Sequence, residues 1–187
     1  MNPQTERIIL GIDPGTTVMG YGVIKVQKDQ LTMLTCGVIQ LHKYTDYVVK
    51  LKRIFDRTLS LIEEFHPDEM AIEAQFFGKN VQSMLKLGRA QGVSIAAALS
   101  RDLSVEEYQP RKVKQSVCGN GNASKEQVAA MIQTLLKLKE IPKELDATDG
   151  LAIAICHYFQ TRMAGTATQG KSWKAFINSN PGRVRKP

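Results

Sequence analysis

Cysteine is scarce in this chain of 187 residues, occurring only at Cys36, Cys118 and Cys156, with no Cys-x-x-Cys pair. An odd, widely spaced set argues against a disulfide framework or a zinc cluster and fits a reducing compartment, so a cytoplasmic location is expected. Long apolar runs are missing too. No stretch approaches the roughly 18–20 residues needed to cross a bilayer, so no membrane association is expected. The run before Asp13 is only Ile8 to Ile12 and lacks the flanks of a secretory signal. Acidic residues are absent from Gly165 to Pro187, where Lys171, Lys174, Arg183, Arg185 and Lys186 carry five of the seven net positive charges.

What is present fits a folded protein. Hydrophobic residues make up 43% and charged residues 23%, near globular averages, which excludes a generally disordered or fibrous chain. The length suits one compact domain, expected over residues 1–164, with 165–187 as a basic, flexible tail. Such a tail can add salt-sensitive attraction for phosphates.

Apolar patterning predicts strands over Arg7 to Asp13, Val18 to Gln27 and Gln30 to Leu41, joined by turns at Pro14-Gly15 and Lys28-Asp29. Three successive strands suggest an antiparallel meander. From Tyr47, Val48, Leu51, Ile54, Phe55, Leu59, Ile62 and Phe65 follow helical spacing, and His66-Pro67 ends the segment. A short strand at Glu69 to Glu73, a helix from Asn80 to Ser100 and a strand from Leu103 to Tyr108 follow. Pro110 begins a short helix, Ser124-x-x-Gln127 forms a capping box, and Asp146 to Arg162 reads as a long final helix. The order β-β-β-α-β-α-β with trailing helices predicts an α/β fold, a mixed five-stranded sheet with helices on both faces.

The acidic residues fall in a pattern. Asp13 closes an apolar strand just before Pro14-Gly15, and Glu73 closes Met70-Ala71-Ile72-Glu73 in the same manner. If the fourth strand runs parallel beside the first, both carboxylates share one rim, where α/β proteins build sites. Asp146 and Asp149, three residues apart at a helix start, project from one side of its first turn. Each acid alone has a plainer role: Asp146 or Asp149 favouring a helix dipole, Asp13 capping a turn. Gathered together, four carboxylates raise one another's pKa and call for a cation. Hard oxygen donors without a His or Cys cluster favour Mg²⁺ or Mn²⁺, and a pair of ions about 3.5–4 Å apart can promote phosphodiester cleavage.

Several segments, taken in order, resemble the RuvC family of bacterial Holliday-junction resolvases. They are Ile9-Leu10-Gly11-Ile12-Asp13-Pro14-Gly15, Gly20-Tyr21-Gly22-Val23, Ala71-Ile72-Glu73, Leu85-Lys86-Leu87-Gly88, Val113-Lys114-Gln115 and Asp146-Ala147-Thr148-Asp149-Gly150-Leu151-Ala152, spread over roughly residues 7 to 160. The resemblance implies an RNase H-like fold, a homodimer, and Mg²⁺-dependent paired nicking of four-way DNA junctions in recombination and repair, with RuvA and RuvB as partners. It implies Asp13, Glu73, Asp146 and Asp149 as ligands for two ions per subunit, with Lys114 and Lys125 assisting cleavage. It also implies Phe76 as an aromatic group stacking on an opened base at the crossover. Ala74-Gln75 depart from the family, which commonly has a polar or bulkier residue after the glutamate. Lys79, Lys86, Arg89, Arg111 and Lys112 are further candidates for DNA contact.

A dimer also follows from symmetric nicking, which needs two sites about a two-fold axis. Leu85, Leu87, Val93 and Ile95 of the Asn80 to Ser100 helix are candidates for that surface or for the core. Three other readings compete. Asp13-Pro14-Gly15-Thr16-Thr17 is similar to the first phosphate motif of the actin and sugar-kinase ATPases, but no second lobe exists here to close on ATP. A non-catalytic binder of structured nucleic acid would not need the acid quartet. An RNase H-like ribonuclease would share the metal site and read 2′-hydroxyls. His157, eleven residues beyond Asp146, lies about 16 Å along a helix and is left out of the site.

Overall fold

In the computed structural model, residues 6–75, 80–142 and 144–167 are described. Strands β1 (Arg7–Asp13), β2 (Val18–Gln27) and β3 (Gln30–Gln40) form the expected meander. Lys28 and Asp29 between β2 and β3 both have positive φ, 50° and 62°, the backbone twist that a two-residue hairpin turn requires. Helix α1 (Tyr47–Phe65) is capped by Asp46, whose side chain accepts from Val48 N at 2.7 Å. It stops at His66, with φ 47°, directly before Pro67. Strand β4 (Glu69–Glu73), helix α2 (Val81–Leu99), strand β5 (Ser104–Tyr108) and helices α3 (Pro110–Cys118), α4 (Lys125–Leu135) and α5 (Leu145–Ala167) complete the chain. The capping box at α4 is formed by Ser124 and Gln127 as the sequence predicts.

The sheet order is β3-β2-β1-β4-β5, with β1, β4 and β5 parallel and the meander antiparallel, hence a mixed five-stranded sheet. Small boundary differences appear. The third strand ends one residue early because Leu41–Lys43 turn into a short 3-10 segment, and α5 runs to Ala167, three residues into the segment read as a tail. The rest of that segment, 168–187, lies outside the described residues.

Alternation along each strand sorts the core into two layers. Leu10, Ile12, Met70 and Ile72 pack with Ile54, Leu61 and Ala98 of α1 and α2. Ile9, Ile24 and Ala71 pack on the other face with Val113, Ile132 and Leu151 to Cys156 of α3, α4 and α5. Helix α5 is buried nearly all round, which explains its even apolar content. It lies close on the sheet because glycines line the contact. A Cβ on Gly20 would stand 2.0 Å from the carbonyl oxygen of Asp146, and one on Gly22 would stand 2.6 Å from Leu151 N. Glycine inside a strand marks such a close approach of another backbone.

Candidate active site

Period-two alternation places Ile9, Gly11 and Asp13 on one face of β1, and Glu69, Ala71 and Glu73 on the same face of β4. Ile9 and Ala71 belong to the layer under α5, so the two terminal acids also point to the α5 side. The last registered pair between the strands is Ile12–Ile72, and Asp13 and Glu73 follow it on the same rim. The glycine contacts hold the first turn of α5 over this rim, which delivers Asp146 and Asp149. Parallel pairing of β1 and β4, a condition at the sequence level, is therefore met.

Asp13, Glu73, Lys114, Lys125 and Asp149 line one cavity of about 220 Å³, closed on its apolar side by Pro110, Val113, Val128 and Ala152. Asp146 stands beside it. Lys125 donates to Asp146 Oδ1 at 3.0 Å and to Asp149 Oδ2 at 2.8 Å. Burial, then the charges of Glu73, Asp149 and Asp146, push the Asp13 carboxyl from its ordinary 3.8 up to about 8, against a lowering by Lys125. Burial and the Asp149 charge push Glu73 up to about 7, opposed by Lys125 and Lys114. Asp149 is raised as well, chiefly by burial, although the Lys125 hydrogen bond pulls the other way. Its hydrogen bonds to Asp149 and Asp146 hold the Lys125 ammonium firmly protonated. One lysine thus offsets only part of the crowded negative charge.

Other candidates are spread around this centre. Lys86 and Arg89 are exposed on α2, and Tyr47 donates to the Lys86 carbonyl at 2.6 Å. Arg111 and Lys112 are exposed on α3, next to the cavity-lining Pro110. Phe76 and Lys79 lie outside the described residues. His157 is not in the site. It is buried at the opposite rim, where Nε2 meets Glu69 Oε2 at 2.7 Å and Nδ1 meets the Tyr108 hydroxyl at 2.9 Å. Glu69 is half-buried, which alone would raise its pKa, but hydrogen bonds from Arg7 and His157 hold it below the ordinary value.

Gln91 of α2 was not among the predicted residues. Its Nε2 donates to the Glu73 carbonyl at 3.2 Å and to Glu107 Oε2 at 2.8 Å, tying α2 to the end of β4. A lone glutamine on a helix carries no sequence signal for this role. The glycine cradle did carry one, in the paired glycines at Gly20 and Gly22 inside a strand.

The strand order and the rim acids define the class: a nuclease of RNase H-like fold. A family model described as crossover junction endodeoxyribonuclease RuvC matches residues 9–157. The chain is 61% identical over 186 residues to the crossover junction endodeoxyribonuclease RuvC of Cytophaga hutchinsonii, covering 98% of this chain and 92% of that one. It is 57% identical over 192 residues to the same-named protein of Porphyromonas gingivalis, covering 99% and 100%. Among solved structures, Thermus thermophilus RuvC in complex with Holliday junction substrate is similar with a TM-score of 0.79 and 36% identity, covering 84% of this chain and 96% of that one. The chain belongs to the RuvC family.

Proposed function

We propose that the protein is a structure-specific endonuclease that resolves four-way DNA junctions by nicking two opposing strands in recombination and repair. The observation that carries this reading is the single cavity holding Asp13, Glu73 and Asp149 with Lys114 and Lys125. Carboxyls whose pKa values are raised by burial and mutual repulsion mark a place where function has been favoured over the stability of the bare site.

The donor set suits a divalent hard cation, Mg²⁺ with Mn²⁺ as a substitute, because every donor is a carboxylate oxygen and no His or Cys lines the cavity. The crowding also points to a missing counter-charge. As the side chains stand, no three His, Cys, Asp or Glu groups among the described residues form a ready metal cluster. Asp146 and Asp149 face Lys125 instead, so binding would require them to turn from the ammonium toward the ion. Asp13, Glu73, Asp146 and Asp149 would together hold two ions. When bound, these would activate water and stabilise the leaving oxygen of a phosphodiester. Lys114 and Lys125 neutralise the charge of the phosphate at the cavity mouth. The wall of Val113, Val128 and Ala152 keeps the local dielectric low, which strengthens both effects. Phe76, three residues past Glu73, stacks on a base at the opened crossover.

A homodimer is part of this reading, and α2 offers the surface for it. Val81 (64% exposed), Leu85 (52%) and Leu99 (59%) share one outward stripe with Gly88 and Gly92, at whose Cβ positions nothing lies within 4 Å. The stripe follows i, i+4, i+7, i+11 and i+18, one helical face, and its glycines allow a second helix close approach. Val93 and Ile95 instead pack against the intramolecular core. Arg89 and Lys86 flank the stripe where DNA would meet both subunits. RuvA and RuvB are the partners the family implies. The three free cysteines support a reducing cytoplasm, and no helix among the described residues is long and apolar enough to cross a membrane.

The decisive test compares a four-way DNA junction, a linear duplex and an RNA–DNA hybrid, each with and without Mg²⁺. Paired nicks in the junction alone, dependent on Mg²⁺, are the expected result. Preferential cutting of the hybrid would instead establish a ribonuclease.

A further inference from the structure

A second cavity, of about 610 Å³, opens on the same rim, lined among others by Lys43, Tyr44, Arg53, Asp56, Arg57 and Glu144. Strand register places its β3 wall along the rim. Asp13 pairs across to Gly20, and Gly20 pairs across to Val38, which lines this cavity. Two strand spacings, about 10 Å, separate the backbones of Asp13 and Val38, and the arginines lie on the α1 face of the sheet whereas the acids point to the α5 face. The cavity's other wall is α1, the helix against which α2 packs.

Its cations outnumber its acids, and the two arginines are held in place. Arg53 and Arg57, four residues apart, share one face of α1. The Arg53 guanidinium sits 5.4 Å from the centre of the Tyr44 ring. That of Arg57 sits 4.9 Å from the centre of the Tyr21 ring and donates to the Tyr21 hydroxyl at 2.7 Å. Aromatic stacking fixes a guanidinium without neutralising it, leaving N–H groups to engage a phosphate. Among the described residues, neither arginine nor Lys43 forms an ion pair. The acids in the lining are already engaged: Asp56 accepts from Lys52 at 2.7 and 2.9 Å, and Glu144 accepts from Gln40 Nε2 at 3.4 Å. Three cations therefore meet in a concave surface with two carboxylates, of which Asp56 is paired with Lys52 and Glu144 keeps its charge.

We propose that Lys43, Arg53 and Arg57 form a second phosphate-binding site, gripping the backbone of a junction arm away from the phosphate that is cut. The inference rests on the junction-cleaving reading above.

The test measures junction binding by the full chain without Mg²⁺ over a range of salt, and cleavage with Mg²⁺ at saturating protein. The R53Q/R57Q variant is expected to bind roughly tenfold more weakly near 0.1 M salt, with the log–log salt slope shallower by about 2, while the saturated cleavage rate is unchanged. K43Q, at an exposed side chain, is expected to make the slope shallower by about 1, which keeps the test informative if the double variant folds poorly. Methylphosphonates scanned one position at a time along the arm should weaken binding by the wild type at the gripped position and not by R53Q/R57Q. Unchanged affinity and slope in both variants, or an equal methylphosphonate effect in wild type and R53Q/R57Q, overturns the site and leaves the cavity to a protein partner. Failure of the wild type to cut the junction at all would instead count against the functional reading, so the two failures are separable.

Discussion

Asp13 and Glu73 end adjacent parallel strands at the same register level, and each loses much of its acidity there, the first with a pKa of about 8 and the second of about 7. Residues sixty positions apart thus share one pocket of unfavourable charge. That relationship governs how the protein should respond to substitution and to pH.

Asp13→Asn should lower Mg²⁺-dependent nicking by at least about a hundredfold while junction binding stays within about threefold. It should also change stability. The native state keeps the Asp13 proton up to about pH 8, whereas the unfolded chain releases it near pH 4. More protons are bound in the native state across that window, so this group's contribution to stability falls as pH rises from 4 to 8. Thermal melts in EDTA at pH 5 and pH 8 should show a smaller decline in Asp13→Asn than in the wild type. An identical decline would mean the carboxyl is not held protonated.

Lys125→Gln and Lys114→Gln should each move the rising limb of the cleavage pH profile to higher pH. Both lysines lower the pKa of Glu73 and of Asp149, so removing either raises these acids further and delays their ionisation. The rate at fixed Mg²⁺, measured from pH 6 to 9.5, reports the shift; movement toward lower pH would contradict the assigned charge balance.

Gly20→Ala tests the docking of α5. The added methyl would lie 2.0 Å from the Asp146 carbonyl oxygen, so the helix must lift from the strand. Urea unfolding should show a loss of about 1–3 kcal/mol or more. Nicking should fall further than stability alone accounts for, because Asp146 and Asp149 move with the helix.

Leu85→Glu places a charge in the outward stripe of α2, where the side chain is half exposed and outside the packed core. Sedimentation should show the protein shift from dimer to monomer with little change in melting temperature, and paired nicks should give way to isolated ones. A wild-type monomer at micromolar concentration would remove the stripe from the interface.

Phe76→Ala should slow cutting of fully paired junctions more than of junctions with unpaired bases at the crossover, since the ring's contribution is to hold a base already unstacked. Rates on the two substrates under single-turnover conditions give the ratio, and equal losses would exclude stacking at the crossover.

Much of the architecture could be read along the chain. Strand and helix periods, the Lys28-Asp29 turn, the Ser124–Gln127 capping box and the His66-Pro67 stop are local, and each is encoded within a few neighbouring residues. The placement of Asp13 and Glu73 at strand ends is of the same kind. The wider partnerships are not local. The outward stripe of α2 and its inward Val93 and Ile95 have similar composition, so only the packed sheet separates them. His157 finds Glu69, 88 residues away, because α5 spans the sheet from one rim to the other.

By itself the sequence determined which segments fold, where its acids end those segments and, through a string of matched motifs, the family. Tertiary structure alone decided that β4 lies parallel beside β1, that α5 sits close enough on glycine to bring Asp149 to Asp13, and that Lys125 reaches both aspartates. The physical reason is range. Backbone preference acts over a few residues, whereas charge crowding and close packing depend on distances in space that only the assembled sheet and helices set.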